Sequence, residues 1–383
     1  MKTILIFLII FTSIGFPQSF DGWIVNPFDL DNTGGSNKPT FIDIDNDGDY
    51  DCFNGVGSGL TYFFENTGTQ TFPDFANWFP NPFGLVDAGN NARHAFTFLD
   101  GDNDYDVYVG EAGFTIYFLR NTGSVFSPNF VFVDTNPHGI VNLGSNVYPV
   151  FVDINDDGLE DLFTGETEGS TYYYRNTGTL SNPFFGARII NPFGITDVGT
   201  RSAPAFCDID KDEDFDLFIG NELGNILFFK NIGTKTDPLF DTPEINPSGI
   251  ADVGSLASPS FVDINNDDKE DLFVGTQSGD IYYFRNTTVV SVEDEDQSDF
   301  VELKVYPNPV SSNLNISAGN ADLDNTEFAI YTILGERINT SVSLNGSLAT
   351  MNISDLAPGL YILTIRNDLV NYSTKIIKTG GGF

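Results

Sequence analysis

Apolar residues in this chain come in short bursts separated by Gly, Asn, Asp and Thr, and helical periodicity is hard to find. Within residues 20–80 the bursts fall at 39–44, 50–54, 60–65 and 75–79, which we read as four strands, a to d. An acidic loop joins a to b, and a Gly-rich turn joins b to c. An Asn-Thr-Gly-Thr turn joins c to d, and a longer Asn-Pro-Phe-Gly segment leads to the next strand a. Gly and Asn at these joints supply the positive φ that tight turns need.

The pattern recurs every 55 residues. Asn26, Asn81, Asn136, Asn191 and Asn246 share one phase, and Asn66, Asn121, Asn176, Asn231 and Asn286 share another. Gly55, Gly110, Gly165, Gly220 and Gly275 mark a third. Spacing this regular predicts five equivalent units, and four short strands per unit predict the blades of a β-propeller. Phe20, Phe75, Phe130, Phe185 and Phe240 are also in phase, so residues 20–25 form a strand d standing before the first blade. The fifth unit stops after strand c. We therefore expect the N-terminal strand to complete the last blade and close the ring, removing the open sheet edges. The expected fold is all-β, a five-bladed β-propeller over 20–289. A small antiparallel, Ig-like sandwich over 301–383 follows an acidic linker at 290–300. Its strands are expected at 301–306, 314–317, 327–332, 360–365 and 372–378.

Each a–b loop carries the candidate chemistry. In the first copy Asp43, Asp45, Asp47 and Asp51 occupy positions 1, 3, 5 and 9, with Gly48 at position 6 and the Asp49 carbonyl at position 7. Hard oxygen donors at this spacing wrap a calcium ion. The loop is not an EF-hand: position 12 is Asn54, and a strand follows instead of a helix. The third copy offers Asp153, Asn155, Asp157 and Asp161 with the carbonyl of Leu159. The fourth offers Asp208, Asp210, Asp212 and Asp216 with that of Asp214, and the fifth Asp263, Asn265, Asp267 and Asp271 with that of Lys269. The second copy has Phe98 at position 1, leaving Asp100, Asp102, Asp104 and Asp106, and is expected to bind weakly or not at all. Four to five structural calcium ions are the cofactor call, with no catalytic role.

Composition narrows the partners. Against 17 basic residues stand 54 acidic ones, a formal charge of −37, which argues against nucleic acid and anionic membranes. Lys2 followed by the apolar run 4–11 reads as a secretory signal, cleaved near residue 19, so the mature chain should be exported and soluble. The two cysteines, Cys52 and Cys207, lie at different phases and are expected to be buried free thiols.

The loops and their surroundings resemble the FG-GAP/VCBS repeat family of β-propellers. Each unit reads approximately Pro-x-Phe-x-Asp-Ile-Asp-x-Asp-Gly-x-x-Asp-Leu-Phe-x-Gly, then Tyr-Phe-x-Asn-Thr-Gly-Thr. Integrin α-subunit propellers carry similar calcium loops, though with seven blades. The tail resembles a type A sorting domain of the type IX secretion system of Bacteroidota. Val305-Tyr306-Pro307-Asn308-Pro309-Val310, Leu356-Ala357-Pro358-Gly359-Leu360-Tyr361 and Lys375-Ile376-Ile377-Lys378 carry that likeness. It implies export across the outer membrane, removal of the tail by the sortase machinery, and surface attachment or release.

No nucleophile–base arrangement, zinc spacing or phosphate loop can be argued. The copies differ most in the loops entering strand a and in the b–c turns, which share the face opposite the calcium loops. Asn91, Arg93, His94, Tyr148 and Arg201 in the former, with Glu111, Glu166 and Glu222 in the latter, are the candidate ligand residues. Both histidines, His94 and His138, are read as loop residues. A non-enzymatic binding or adhesion module for glycan or protein is the leading expectation. A polysaccharide-active glycosidase or lyase and a structural surface-layer component are the alternatives.

Overall fold

The computed structural model describes residues 19–287 and 304–379, apart from 76, 100, 103, 142, 248, 319–322, 324–325, 333–336, 339 and 367–370. The expected signal and acidic linker, and Asp100 among the loop ligands, lie outside the described residues. The chain divides into two compact units, Met1–Val290 and Ser291–Phe383. It is all-β, built as seven four-stranded antiparallel sheets.

Five sheets belong to the first unit. The first runs β2 (Lys38–Ile42), β3 (Asp51–Gly55), β4 (Thr61–Phe64) and β5 (Trp78–Pro80), and the second β6 (Arg93–Thr97), β7 (Asp106–Gly110), β8 (Ile116–Asn121) and β9 (Phe130–Thr135). The third is β10 (Tyr148–Val152), β11 (Asp161–Gly165), β12 (Thr171–Tyr174) and β13 (Ile189–Ile190). The fourth is β14 (Ala203–Cys207), β15 (Asp216–Gly220), β16 (Ile226–Phe229) and β17 (Glu244–Ile245). The fifth joins β18 (Ser258–Val262), β19 (Asp271–Gly275) and β20 (Ile281–Phe284) to the N-terminal β1 (Ile24–Val25), which pairs antiparallel with β20 through Ile24 and Tyr283. Phe20 bridges Asn286 at the same edge.

The second strand of every sheet is buried at all five positions, so these strands read as continuous apolar runs rather than alternating ones. Their side chains fill five buried clusters, each lying between two successive sheets. One such cluster joins Phe273 and Tyr283 of the fifth sheet to Cys52 and Phe64 of the first. Another holds Phe20 with Phe218, Phe228 and Leu272. The innermost strands β2, β6, β10, β14 and β18 touch in that order, and β18 touches β2 in turn.

Two repeated residues owe their phase to this packing. A Cβ on Gly55, Gly110, Gly165 or Gly220 would lie 1.9–2.3 Å from the carbonyl oxygen of Ala92, Val147, Ser202 or Ala257 in the following sheet. On Gly275 it would lie 2.2 Å from Asn37 of the first sheet. The Asn of each Asn-Pro motif takes a left-handed φ, and its Oδ1 accepts the backbone N–H that opens strand c. Those pairs are Asn81 with Thr61, Asn136 with Ile116, Asn191 with Thr171, Asn246 with Ile226, and Asn26 with Ile281, at 2.8–2.9 Å. We expect Gly165→Ala to destabilise the unit by about 3 kcal/mol or more, because the collision is with backbone that cannot rotate away. Chemical denaturation measures this, and a midpoint matching the parent would refute the packing role.

The second unit comprises β21 (Lys304–Tyr306), β22 (Asn313–Ser317), β23 (Glu327–Thr332), β24 (Arg337–Ile338), β25 (Ser341–Asn345), β26 (Leu348–Asn352), β27 (Gly359–Arg366) and β28 (Asn371–Lys378). They form the sheets β21-β22-β26-β25 and β24-β23-β27-β28, whose Leu314, Ile316 and Met351 meet Ile330, Leu363 and Ile376 in one buried cluster. The hairpin of β25 and β26 is absent from the sequence reading. Its signal was present as Gly346-Ser347, a Gly-first pair of the kind that two-residue hairpin turns favour.

Candidate functional site

The acidic loops sit where the first strand of each sheet turns into the second. Position 4 takes a left-handed φ at Asn46, Asp156, Lys211 and Asn266, and position 6 does so at Gly48, Gly158, Glu213 and Asp268. These two reversals curl the loop so that position 1 faces its own backbone. Asp43 accepts the N–H groups of Asp47 and Gly48, both at 3.1 Å. Asp153, Asp208 and Asp263 accept the corresponding pairs at 2.8–3.1 Å. Position 9 begins the second strand and is buried in every copy. Asp51, Asp106, Asp161, Asp216 and Asp271 each accept the N–H of the Asn that ends strand c, at 2.6–2.7 Å.

Two of the loops bring carboxylates together. Oxygens of Asp43, Asp45 and Asp47 lie within 4.8 Å of one another, as do those of Asp208, Asp210 and Asp212, and either triad could hold a metal ion. Around them Asp49 Oδ1, Asp210 Oδ1, Asp214 Oδ1 and Asp216 Oδ2 are buried without a hydrogen-bond partner. Burial, reinforced by neighbouring carboxylates, pushes the Asp51 and Asp216 carboxyls up to about 8 and those of Asp49 and Asp214 to about 6. Hard anionic oxygens, some orphaned, that are costly to ionise together fit a divalent cation.

The third and fifth loops are built differently. Where position 3 is Asn155 or Asn265, its amide donates to Oδ2 of Asp161 (2.7 Å) or Asp271 (2.6 Å). The hydroxyl of Tyr173 or Tyr283 donates to the same oxygen at 2.8 or 3.0 Å. Arg175 and Arg285 then pair with Asp157 and Asp267 at 3.0 and 3.1 Å. Burial raises Asp161 and Asp271 only to about 6. At position 7 Leu159 and Lys269 are half-buried where Asp49 and Asp214 are buried, while the Leu159 N–H donates to Asp157 at 3.1 Å as Asp49 and Asp214 do to Asp47 and Asp212. In the fourth loop Lys230 reaches Asp210 at 2.5 Å. In the second, the Phe98 ring packs on Tyr105 with centroids 3.9 Å apart, and Asp104 N–H donates to Asp102. The Tyr, Arg and Lys partners were missed from the sequence, although comparing the chain with itself carries the signal. Both units with Asn at loop position 3 have Tyr in strand c and Arg two residues on.

The candidate ligand residues separate into three groups. Glu111 and Glu166 turn their carboxylates onto the backbone of their own b–c turns, Gly113 N at 2.6 Å for one, Glu168 N and Ser170 N at 2.8 and 3.0 Å for the other. Glu222 is exposed. Asn91 and Arg201 occupy equivalent left-handed positions in the loops before strand a, with φ of 60° and 58°. Arg93, His94 and Tyr148 are not loop residues, which corrects the reading of His94. The innermost strands begin one residue earlier than expected, with Arg93 paired to Gly110 and Tyr148 to Gly165.

These strand-start residues line a cavity of about 330 Å³ enclosed by all five innermost strands. Its lining includes Lys38, Thr40, Arg93, His94, Tyr148, Ser258 and Ser260 as polar groups. The Arg93 guanidinium lies 3.4 Å above the Tyr148 ring, a cation–π contact. Burial lowers Arg93 and, with Arg93 and Arg201 nearby, lowers Lys38 well below the usual lysine range. His94 accepts or donates to Thr61 Oγ1 at 2.7 Å, and burial takes its imidazole down to about 3, so it is neutral at physiological pH. Both cysteines are buried free thiols, and burial pushes them up.

The chain carries an FG-GAP-like repeat, matched over residues 153–219, and a secretion system C-terminal sorting domain of the type IX pathway, matched over 304–379. The sorting domain marks the chain for export to the cell surface or medium and implies contact with the type IX machinery. Among the described residues no helix is long and apolar enough to cross a membrane. No match was found among curated proteins. Solved structures with similarity include a mutant of AofleA from Arthrobotrys oligospora (12% identity, 68% of this chain and 75% of that one, TM-score 0.39). Others are a GH43 glycoside hydrolase engineered for endo-xylanase and exo-arabinofuranosidase activity (9%, 94% and 84%, 0.40) and Saccharomyces cerevisiae Sqt1 (11%, 91% and 90%, 0.30).

Proposed function

We propose that the five sheets are the blades of a closed β-propeller, and that the exported protein is a calcium-stabilised binding module for glycan or protein rather than an enzyme. The Ig-like sandwich is the sorting unit in this reading. Calcium sits in the a–b loops at one end of the strands, with the first and fourth loops binding most strongly. Recognition takes place at the other end, where the innermost strands begin.

One observation carries this reading. The residues that depart from the repeat, Lys38, Arg93, His94 and Tyr148, converge on the cavity between the innermost strands. Concave sites of about 300 Å³ or more with a few convergent polar groups are the usual form of a ligand pocket. The polar lining is cationic and hydroxylic, whereas glycoside hydrolysis needs two carboxylates about 5–9.5 Å apart. A glycan array probed with the full chain, in calcium and in chelator, tests the proposal when product analysis follows each hit. Calcium-dependent binding with intact ligand is the expected result. New reducing or unsaturated ends would convert the reading to an enzyme, and an array and pull-down without any ligand would leave a structural component.

A further inference from the structure

We propose that the cationic end of this cavity binds the carboxylate of a uronate, a sugar acid, with Arg93 as its principal ligand and Lys38 and Arg201 as flanking charges. This inference rests on the binding-module reading above and narrows it to a ligand class.

The argument starts from the guanidinium of Arg93. The residue is 3% exposed, its Nη1 donates to the carbonyl of Val147 at 3.3 Å, and the Tyr148 side chain is its other polar neighbour. Nε and Nη2 are buried and unpartnered. Those two nitrogens form one edge of the planar fork, the edge that takes both oxygens of a carboxylate side-on. The Tyr148 ring beneath holds the fork in place. An unpaired buried donor of this kind destabilises the free protein, and a bound anion relieves that cost.

Neighbouring charges point the same way. Lys38 is 5% exposed, and its Nζ is held by Ser36 O at 2.5 Å and Asn91 Oδ1 at 3.4 Å. Arg201 stands at the left-handed loop position that Asn91 and Asn146 fill in the preceding units, a backbone conformation that favours Asn over Arg. Glu111 is the nearby carboxylate that opposes the cluster, and its Oε2 is engaged by Gly113 N. In a chain of formal charge −37, two basic residues lining one cavity, with Arg201 close enough to act on both, are a local reversal of sign. The acidic loops lie at the other end of the strands, where the first strand of each sheet turns into the second.

Cavity size and the remaining lining select the rest of the ligand. About 330 Å³ equals the volume of roughly eleven waters, room for a single small ring. Thr40, Ser258 and Ser260 add hydroxyls that can both donate and accept, which suits a polyol.

Isothermal titration of the full chain in calcium tests this with glucuronate, galacturonate, glucose, sulfate and polygalacturonate. At least one uronate should bind at least 100-fold more tightly than glucose, and Arg93→Gln should weaken it at least 30-fold with the calcium-dependent melting unchanged. Arg201→Ala, in a loop, should weaken it several-fold and serves if Arg93→Gln fails to fold. Tighter binding of the polymer than of the monosaccharides identifies a polysaccharide source, and the reverse identifies a free sugar acid; both support the site. Equal affinity for glucose or sulfate, or affinity untouched by both substitutions, overturns it. If neither uronates nor the polymer bind while another ligand does, this inference fails and the binding-module reading stands.

Discussion

Stripped of calcium, the protein is expected to melt about 10 °C lower than in 10 mM calcium. Extracellular calcium modules bind with dissociation constants of roughly 10⁻⁴–10⁻³ M. At a hundredfold excess over the tighter value, each site adds about 2.7 kcal/mol to the folded state. With calcium bound, the first and fourth loops, with converging carboxylate triads, would together contribute about 5 kcal/mol, at about 2 °C per kcal/mol for a unit of this size. Asp43→Ala combined with Asp208→Ala should remove most of the calcium-dependent shift. A melting point indifferent to calcium would refute the metal role.

Acid should partly substitute for the metal. Asp51 and Asp216 titrate near 8 in the folded chain against an ordinary value of 3.8. Between those pH values the folded state holds more protons than the unfolded one, so stability falls as pH rises. The calcium-stripped protein is therefore expected to melt higher at pH 5 than at pH 8. Saturating calcium replaces the protons with a divalent charge and should remove that slope. Thermal melts at the two pH values, with and without calcium, decide it, and a stripped protein that gains stability from pH 5 to 8 contradicts the assignment.

Loss of the N-terminal strand is expected to be more damaging than any single substitution elsewhere. Phe20 is 5% exposed and packs among Phe218, Phe228 and Leu272. Asn26 exchanges hydrogen bonds with Ile281 at 2.7 and 2.9 Å, and Thr287 N–H reaches Ser19 O at 2.7 Å. Phe20→Ala alone should cost about 3–5 kcal/mol. Deleting residues 19–26 also leaves the outer edge of β20 unpaired, a template for association with other chains. The truncated protein should aggregate or melt more than about 10 °C lower. A peptide covering 19–30 should restore the monomer by adding the missing strand. A truncated chain that stays monomeric with the parent melting point would show that the strand is dispensable.

Much of this architecture is legible because the chain repeats itself. The 55-residue phases of Asn81 and Gly110 follow from backbone contacts every unit must make, so the same residue returns wherever the same contact returns. The loops were equally legible as acidic turns, since oxygen donors at positions 1, 3, 5 and 9 are a local pattern, and in two of them the carboxylates at positions 1, 3 and 5 converge. What separates the first and fourth loops from the third and fifth shows in the loops themselves only as Asp or Asn at position 3. The rest of the distinction lies in Tyr173, Arg175, Tyr283 and Arg285, which come from outside the loop and meet the carboxylates only after the sheet forms.

By itself the sequence determined the all-β class, the five units, the strand that completes the fifth sheet and the place of every acidic loop. All of these rest on local periodicity and turn chemistry, which survive in one dimension. Only the tertiary structure decided that Lys38, Arg93 and Tyr148, about 55 residues apart along the chain, face one cavity, and that Glu111 and Glu166 close their own turns instead. Residues so far apart become neighbours through the packing of one sheet on the next, which depends on the whole set of sheets and on no single stretch of chain.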